Sequence, residues 1–341
     1  MAIQYGHGDD KHLYSHINFK ANFSSNVWFT GSAPDLKEHL RTQINTIDQY
    51  PAPSGEFLKK QIAAKHEVSE QNILVSNGAT EAFYLIAQHF SKKRVSICYP
   101  SFSEYELASR VHGLQIEYLH RQDCTTHQFN SDIAFICNPN NPDGFENSSE
   151  EIALLLKKHP DTYFVIDEAY IEFTSSAISV VPLLAEHNNL IIVKSLTKVF
   201  GIPGLRLGYL MGATAIIDAI AAHKMPWNVN GLALSAGRYI FQNYASLYPN
   251  FSTYLQRCYE LQTAISEIPG FRSIPSRTSY FLVKMQDYVS QRLKNYLAEE
   301  HQLLIRDASN FKGLDQRYFR ISGQSDSENN LLIKALKAWK H

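Results

Sequence analysis

Lys198 stands just past an apolar run, Leu190–Lys194, in the stretch Ser195-Leu196-Thr197-Lys198. An amine at the end of a buried strand suits attack on a carbonyl, as Schiff-base chemistry requires. A lysine that merely starts a helix would explain it alone. Eight residues on, Arg206 sits in Gly204-Leu205-Arg206-Leu207-Gly208-Tyr209, where a guanidinium beside small glycines can clamp a phosphate. As a lone feature it is an arginine in a turn. Asp167 closes the apolar run of Val165-Ile166-Asp167-Glu168-Ala169-Tyr170. A carboxylate there is costly without a cation, which a protonated pyridine nitrogen or a structural ion pair would supply.

Three further places join these. Asn77-Gly78-Ala79-Thr80-Glu81 lies between a strand and a helix, where free N–H groups face a phosphate or simply need a cap. Phe102, after Tyr99-Pro100-Ser101, is an aromatic ring fit either to stack on a flat ligand or to fill core. Asn141, in Asn138-Pro139-Asn140-Asn141-Pro142, can donate to a phenolic oxygen, although Asn and Pro are also ordinary turn residues. Each has a bland explanation singly. Together, a lysine, an aspartate, an arginine, a phosphate cradle, a stacking ring and an asparagine form one set for one ring-bearing phosphorylated cofactor.

The elements that must position this set read as alternating strands and helices. Strands are expected at Asn72–Ser76, Arg94–Cys98, Gln115–Leu119, Asp132–Cys137, Thr162–Ile166 and Leu190–Lys194, with helices at Ala79–Phe90, Phe102–His112 and Ser149–Lys157. Apolar strands alternating with helices imply an α/β chain with a mainly parallel central sheet between helices, and a ligand beyond the carboxyl ends of the strands. The tail differs. One long helical pattern runs from about Gly231 to Ile268, then short strands at Phe271–Ile274, Thr278–Lys284, Leu303–Arg306 and Tyr318–Ser322, with a last helix at Ser325–Lys340. That is a smaller α+β domain. The expected division is 1–40 as an N-terminal segment on the small domain, 41–230 as the large domain and 231–341 as the small one. No repeat or low-complexity linker is visible.

Composition narrows the class. The chain has 341 residues, a net charge of −1 and 44% hydrophobic residues, so no nucleic-acid footprint is expected. No apolar run approaches the roughly 20 residues of a membrane helix, and Met1–His16 has no signal-peptide core. Cys98, Cys124, Cys137 and Cys258 lack zinc or redox spacing and are expected as reduced thiols in a cytoplasmic protein.

In this order, Asn-Gly-Ala-Thr-Glu, Pro-Ser-Phe, Asn-Pro-Asn-Asn-Pro, Asp-Glu-Ala-Tyr, Ser-Leu-Thr-Lys and Gly-Leu-Arg-Leu-Gly resemble the fold-type I pyridoxal-phosphate-dependent transferases over nearly the whole chain. Within them the likeness is to the histidinol-phosphate aminotransferase and threonine-phosphate decarboxylase families. Ser195–Tyr209, Met225–Asn230, Leu304–Asp315 and the early His7-Gly8 and Asn18–Asn22 look more like the decarboxylases.

The resemblance implies pyridoxal 5'-phosphate as cofactor, with Lys198 forming the Schiff base, Asp167 on the pyridine nitrogen, Tyr170 and Asn141 on the phenolic oxygen and Phe102 stacked on the ring. Ala79, Thr80, Ser195, Thr197 and Arg206 would hold the cofactor phosphate, joined by Tyr50 from the neighbouring subunit of a homodimer with shared active sites. His7, Gly8, Asn22 and Arg306 would surround the phosphate end of a small phosphorylated amino acid, and Arg320, with Asn141, its carboxylate. The implied activity is decarboxylation of O-phospho-L-threonine to 1-aminopropan-2-ol phosphate, which in that family enters cobalamin synthesis. The alternative is an aminotransferase acting on histidinol phosphate or a related compound. Asp143 and Gln324 stand where threonine and arginine are usual.

Overall fold

The computed structural model of the chain describes residues 8–339. Near the N-terminus a two-residue strand, Ala21–Asn22 (β1), pairs in parallel with Leu303–Leu304 (β11). Among the described residues, seven strands form the large sheet: Ile73–Ser76 (β2), Arg94–Tyr99 (β3), Gln115–His120 (β4), Ile133–Cys137 (β5), Tyr163–Asp167 (β6), Leu190–Ser195 (β7) and Gly208–Gly212 (β8), in the order β2-β8-β7-β6-β5-β3-β4. Every pairing is parallel except those of β8, which runs against both β2 and β7.

The six strands expected from sequence are present, each within a residue or two of its expected ends. The seventh, β8, was not expected, because it is framed by glycines and begins inside the Gly204–Tyr209 stretch that reads as a turn.

Both faces of this sheet are buried, which is why its strands read as continuous apolar runs. Alternate residues divide between two cores. Ile73, Ile136, Ile166 and Ile192 pack on one face, and Leu74, Phe135, Val165 and Val193 on the other. Asp167 and Ser195 share the parity of Val165 and Val193, so the chemistry-bearing side chains leave the sheet on that second face.

The smaller sheet joins Phe271–Ser273 (β9), Tyr280–Met285 (β10), Arg306–Asp307 (β12) and Tyr318–Ser322 (β13), antiparallel throughout, in the order β12-β13-β10-β9. A third core lies beneath it and includes Ala21 and Phe23, whereas Trp28, Phe29 and Leu36 of the same N-terminal segment pack with the core of the large sheet.

Two expectations change. The long helix over 231–268 is three helices, Gly231–Gln242, Tyr244–Leu247 and Phe251–Ser266, interrupted at Asn243 and around Pro249-Asn250. Apolar packing also runs across the expected boundary at residue 231. Ala233, Ile240 and Tyr254 share the core of the large sheet, and the third core begins at Leu261.

The cysteine expectation is corrected as well. Cys98 and Cys124 form a disulfide, with Cα atoms 6.3 Å apart. The turn after β4 folds back on β3, a proximity that linear spacing does not encode. Cys137 and Cys258 are free and buried.

On the first face, beside the site, lies a buried charge cluster. Lys194 Nζ is 2.8 Å from Glu168 and 3.7 Å from Glu172. Glu168 also accepts from Ser179 Oγ and Val180 N, so its carboxylate is fully engaged. The two carboxylates hold the Lys194 ammonium charged against its burial, pushing its pKa above the usual value. Removing the lysine would strand two buried anions. Lys194→Met is therefore expected to cost about 3–5 kcal/mol in urea unfolding. A loss below about 1 kcal/mol would show that these carboxylates do not depend on it.

Candidate active site

The carboxyl ends of β5, β6 and β7 and the start of the helix Gly78–His89 surround one cleft. Ala79, Thr80, Phe102, Asn141, Asp167, Tyr170, Ser195, Thr197, Lys198 and Arg206 all line its inner part. The parallel register sets Cys137 opposite Asp167, and Asp167 opposite Val193, so these ends arrive level. Lys198 follows in a single helical turn, Leu196–Val199.

Asp167 is buried. Its Oδ2 accepts from Tyr105 at 2.5 Å and its Oδ1 from the Ala169 N–H at 2.9 Å. Both donors are neutral, and burial pushes the carboxyl pKa up to about 6. Lys198 shows the opposite shift. Burial, then Arg206, then Arg320, lower its pKa to about 8. Its Nζ lies 5.9 Å from the Tyr170 ring centre.

At the helix start, Gly78 has φ +75, and a Cβ there would fall 2.6 Å from Arg206 Nη2. The guanidinium thus lies flush on the open end of the helix. Ser195 Oγ and Thr197 Oγ1, 2.8 Å apart, add two hydroxyls.

The cleft widens to a cavity of about 430 Å³ that reaches Gly8, Asn26 and Arg320. A branch of about 180 Å³ continues past Arg320 to Arg306. The two arginines are directly paired residues of neighbouring strands β12 and β13. Like charges placed this way repel. Burial and then Arg320 bring the Arg306 pKa down to about 10. Arg306 donates to Asp307 O at 2.6 Å and Asn310 Oδ1 at 2.7 Å. Arg320 donates to Ser24 O at 2.7 Å and to Asn141 Oδ1, while its Nε has no partner among the described residues.

The expected residues sort as follows. All those of the inner cleft are brought together, with Gly8, Arg306 and Arg320 beyond them. Asn22 is not. Its side chain bonds Asp9 and Ser24 (2.7 Å to each side chain), both of which line the cavity, so Asn22 stands one contact behind the wall. Asn26 lines the cleft instead, buried, with neither side-chain polar atom partnered among the described residues. Sequence reasoning passed over it. The only signal was its place in the same irregular segment.

Tyr50 lies outside the chain's own cleft, 83% exposed, against Trp227. His7 lies outside the described residues. Gln324 turns to Ser322 O and Asn329, away from the cleft. Asp143 does more than alter a loop contact, since it pairs with Arg121 and accepts from Asn140 Nδ2 beside Asn141.

Residues 17–336 match the family of class I and II aminotransferases. The chain belongs to that family. A threonine-phosphate decarboxylase of Salmonella typhimurium is 28% identical, the match covering 93% of this chain and 90% of the relative. A histidinol-phosphate aminotransferase of Thermoanaerobacter pseudethanolicus is 33% identical over 85% of this chain and 84% of its own length. Among solved structures, an L-threonine-O-3-phosphate decarboxylase from Porphyromonas gingivalis superposes with a TM-score of 0.91 at 38% identity, covering 93% of this chain and 98% of that one.

The cofactor of this family is pyridoxal 5'-phosphate, and the residues present fit it. Gly78 and Arg206 leave a cradle at the helix start that a side chain would fill. Asp167, held only by neutral donors, lacks the cation that a pyridinium nitrogen provides. Lys198 is an amine made easy to deprotonate.

Because the neutral amine is the nucleophile, covalent uptake of pyridoxal phosphate by the apoenzyme should speed up about tenfold per pH unit below about 8 and level off above it. Stopped-flow absorbance measures this. A rate still climbing toward the ordinary lysine value of 10.5 would show that the shift is absent.

Proposed function

We propose that this enzyme decarboxylates O-phospho-L-threonine, releasing carbon dioxide and 1-aminopropan-2-ol phosphate. The observation that carries this reading is the paired placement of Arg306 and Arg320 on adjacent strands, beside the amine and the carboxylate of the cofactor site. Two buried guanidiniums side by side call for two anions. A phosphorylated amino acid has both. Histidinol phosphate has no carboxylate for Arg320, although an aminotransferase could use it for the carboxylate of glutamate in its other half-reaction.

In this reading Arg320 takes the substrate carboxylate, with Asn141 and the unpartnered amide of Asn26 at hand. Arg306 takes the phosphate, with Gly8 on the cleft wall. Fixing the two ends fixes which bond of Cα stands ready to break. Once bound, pyridoxal phosphate supplies the sink for the electron pair left on Cα as carbon dioxide departs. Asp167 keeps a positive charge favoured at the end of that sink. Lys198 Nζ, with its pKa near 8, carries the proton that Cα takes up. Phe102 and Tyr170 wall the inner cleft against water.

The proposed unit is a homodimer in which Tyr50 reaches the partner's cofactor phosphate. Tyr50 lines one surface hollow with the exposed Phe57 and packs on the exposed Trp227, a face suited to a second copy.

Given phosphothreonine and no keto acid, the holoenzyme should release carbon dioxide and amine in equal amounts on every turnover, with the cofactor remaining in its aldehyde form. Stoichiometric conversion to the pyridoxamine form, reversed by 2-oxoglutarate, would establish an aminotransferase instead. Mixing Tyr50→Phe chains with inactive Lys198→Ala chains should give hybrids in which one site carries both defects and the other neither, so activity exceeds that of either parent. A fully active monomer at high dilution would refute the shared site.

A further inference from the structure

We propose that Lys312 is the outer cation of the substrate-phosphate subsite, holding the phosphate from the solvent side while Arg306 holds it from within. This rests on the reading of the cleft given above. Lys312 lines the same branch as Arg306 and Arg320. Its ammonium is parked over the ring of Tyr118, 3.8 Å from the centroid, rather than on a carboxylate. At an exposed site such a contact is weak, and a dianionic phosphate competes for the cation well.

The surroundings hold that perch in place. Glu106, the carboxylate on the same branch, is already engaged by Arg110, with Nη2 at 2.7 Å and Nε at 2.8 Å. Arg110 also reaches the Tyr118 hydroxyl at 3.4 Å, steadying the ring. Lys312 is therefore not neutralised by its acidic neighbour.

The turn that carries Lys312 is shaped to deliver it. Arg306 grips Asn310 at its start. Gly313 follows Lys312 at φ +81, and a Cβ there would lie 2.7 Å from the Tyr99 ring. Only glycine lets this turn lie flat on Tyr99, on the strand beside that of Tyr118. The lysine comes from the small sheet's side and its perch from the large sheet, so the pair spans the mouth of the branch. A phosphate held by Arg306 would complete a ring of donors that closes over it.

The test uses the holoenzyme with inorganic phosphate as probe, its Kd read from the perturbed cofactor absorption, together with the kinetics of phosphothreonine. Lys312→Met should weaken phosphate binding and raise KM by about tenfold each, while kcat falls no more than about twofold. Lys312→Arg should restore both. Lys284→Met serves as control: that lysine also sits on a ring, 5.2 Å from the centroid of Tyr318, but away from the cleft, and its loss should change neither value. Phosphate affinity and KM within twofold of wild type in Lys312→Met would overturn the proposal. So would an equal loss in the control, or a wild type that binds no phosphate. Lysine-dependent phosphate binding without any carbon dioxide release would instead overturn the decarboxylase reading and leave this subsite standing.

Discussion

Parallel strands cannot be joined by a tight turn. Each must be left, crossed over and re-entered from the same end, here by the helix Ser149–Lys158 between β5 and β6 and by two short 3-10 turns between β6 and β7. In this chain that constraint makes β5, β6 and β7 finish together at one edge. Cys137, Asp167 and Ser195 become neighbours there although nearly sixty residues separate the first from the last. The helix at Gly78 starts from the same edge, and the antiparallel strand β8 leads away from it just after Arg206. The cleft is thus a product of connectivity before it is a product of any side chain.

Its electrostatics follow from what the edge leaves exposed. Arg206, Arg320 and Lys198 line a space that also holds Asp9 and the buried Glu104, with Arg306 in the branch beyond, while Asp167 at the inner end is engaged with neutral donors. Burial first, and then the neighbouring guanidiniums, lower the affinity of Lys198 for its proton and that of Arg306 for its own. A cleft built in this way offers several cations to a ligand with several anions. The second buried cluster, around Lys194, is its converse: two carboxylates and one amine close on each other behind the sheet.

Much of this was legible in the sequence because strands buried on both faces leave unbroken apolar runs, and because motif residues fall at their ends. Asp167 and Lys198 could be placed from that alone. Most of what escaped had no local signature. The strand β8 is framed by glycines and begins within a stretch that reads locally as a turn. Asn22 and Asn26 lie four residues apart in an irregular segment, and nothing local decides which of them lines the cleft. The disulfide joins residues whose meeting depends on a turn, while the helix breaks did have a local sign in Asn243 and Pro249-Asn250 that the apolar pattern running through them masked. Tyr50 packs on Trp227 outside its own chain's cleft, and the role proposed for it needs a second molecule that one chain does not display.

The segment from Lys20 to Trp28 is bonded at both ends to different parts of the fold. Lys20 N and Phe23 N donate to Gln302 O and Leu304 O on the small side, while Trp28 N donates to the carbonyl of Lys198 itself. Between these anchors run Ser24, Ser25 and Asn26, which line the cleft. The segment is a tie-rod across the opening. Through Ser24, Ser25 and Asn26 the hydrogen bonds tie the edge of the small side to the backbone of Lys198, so the wall of the cleft and the seat of that amine share one support.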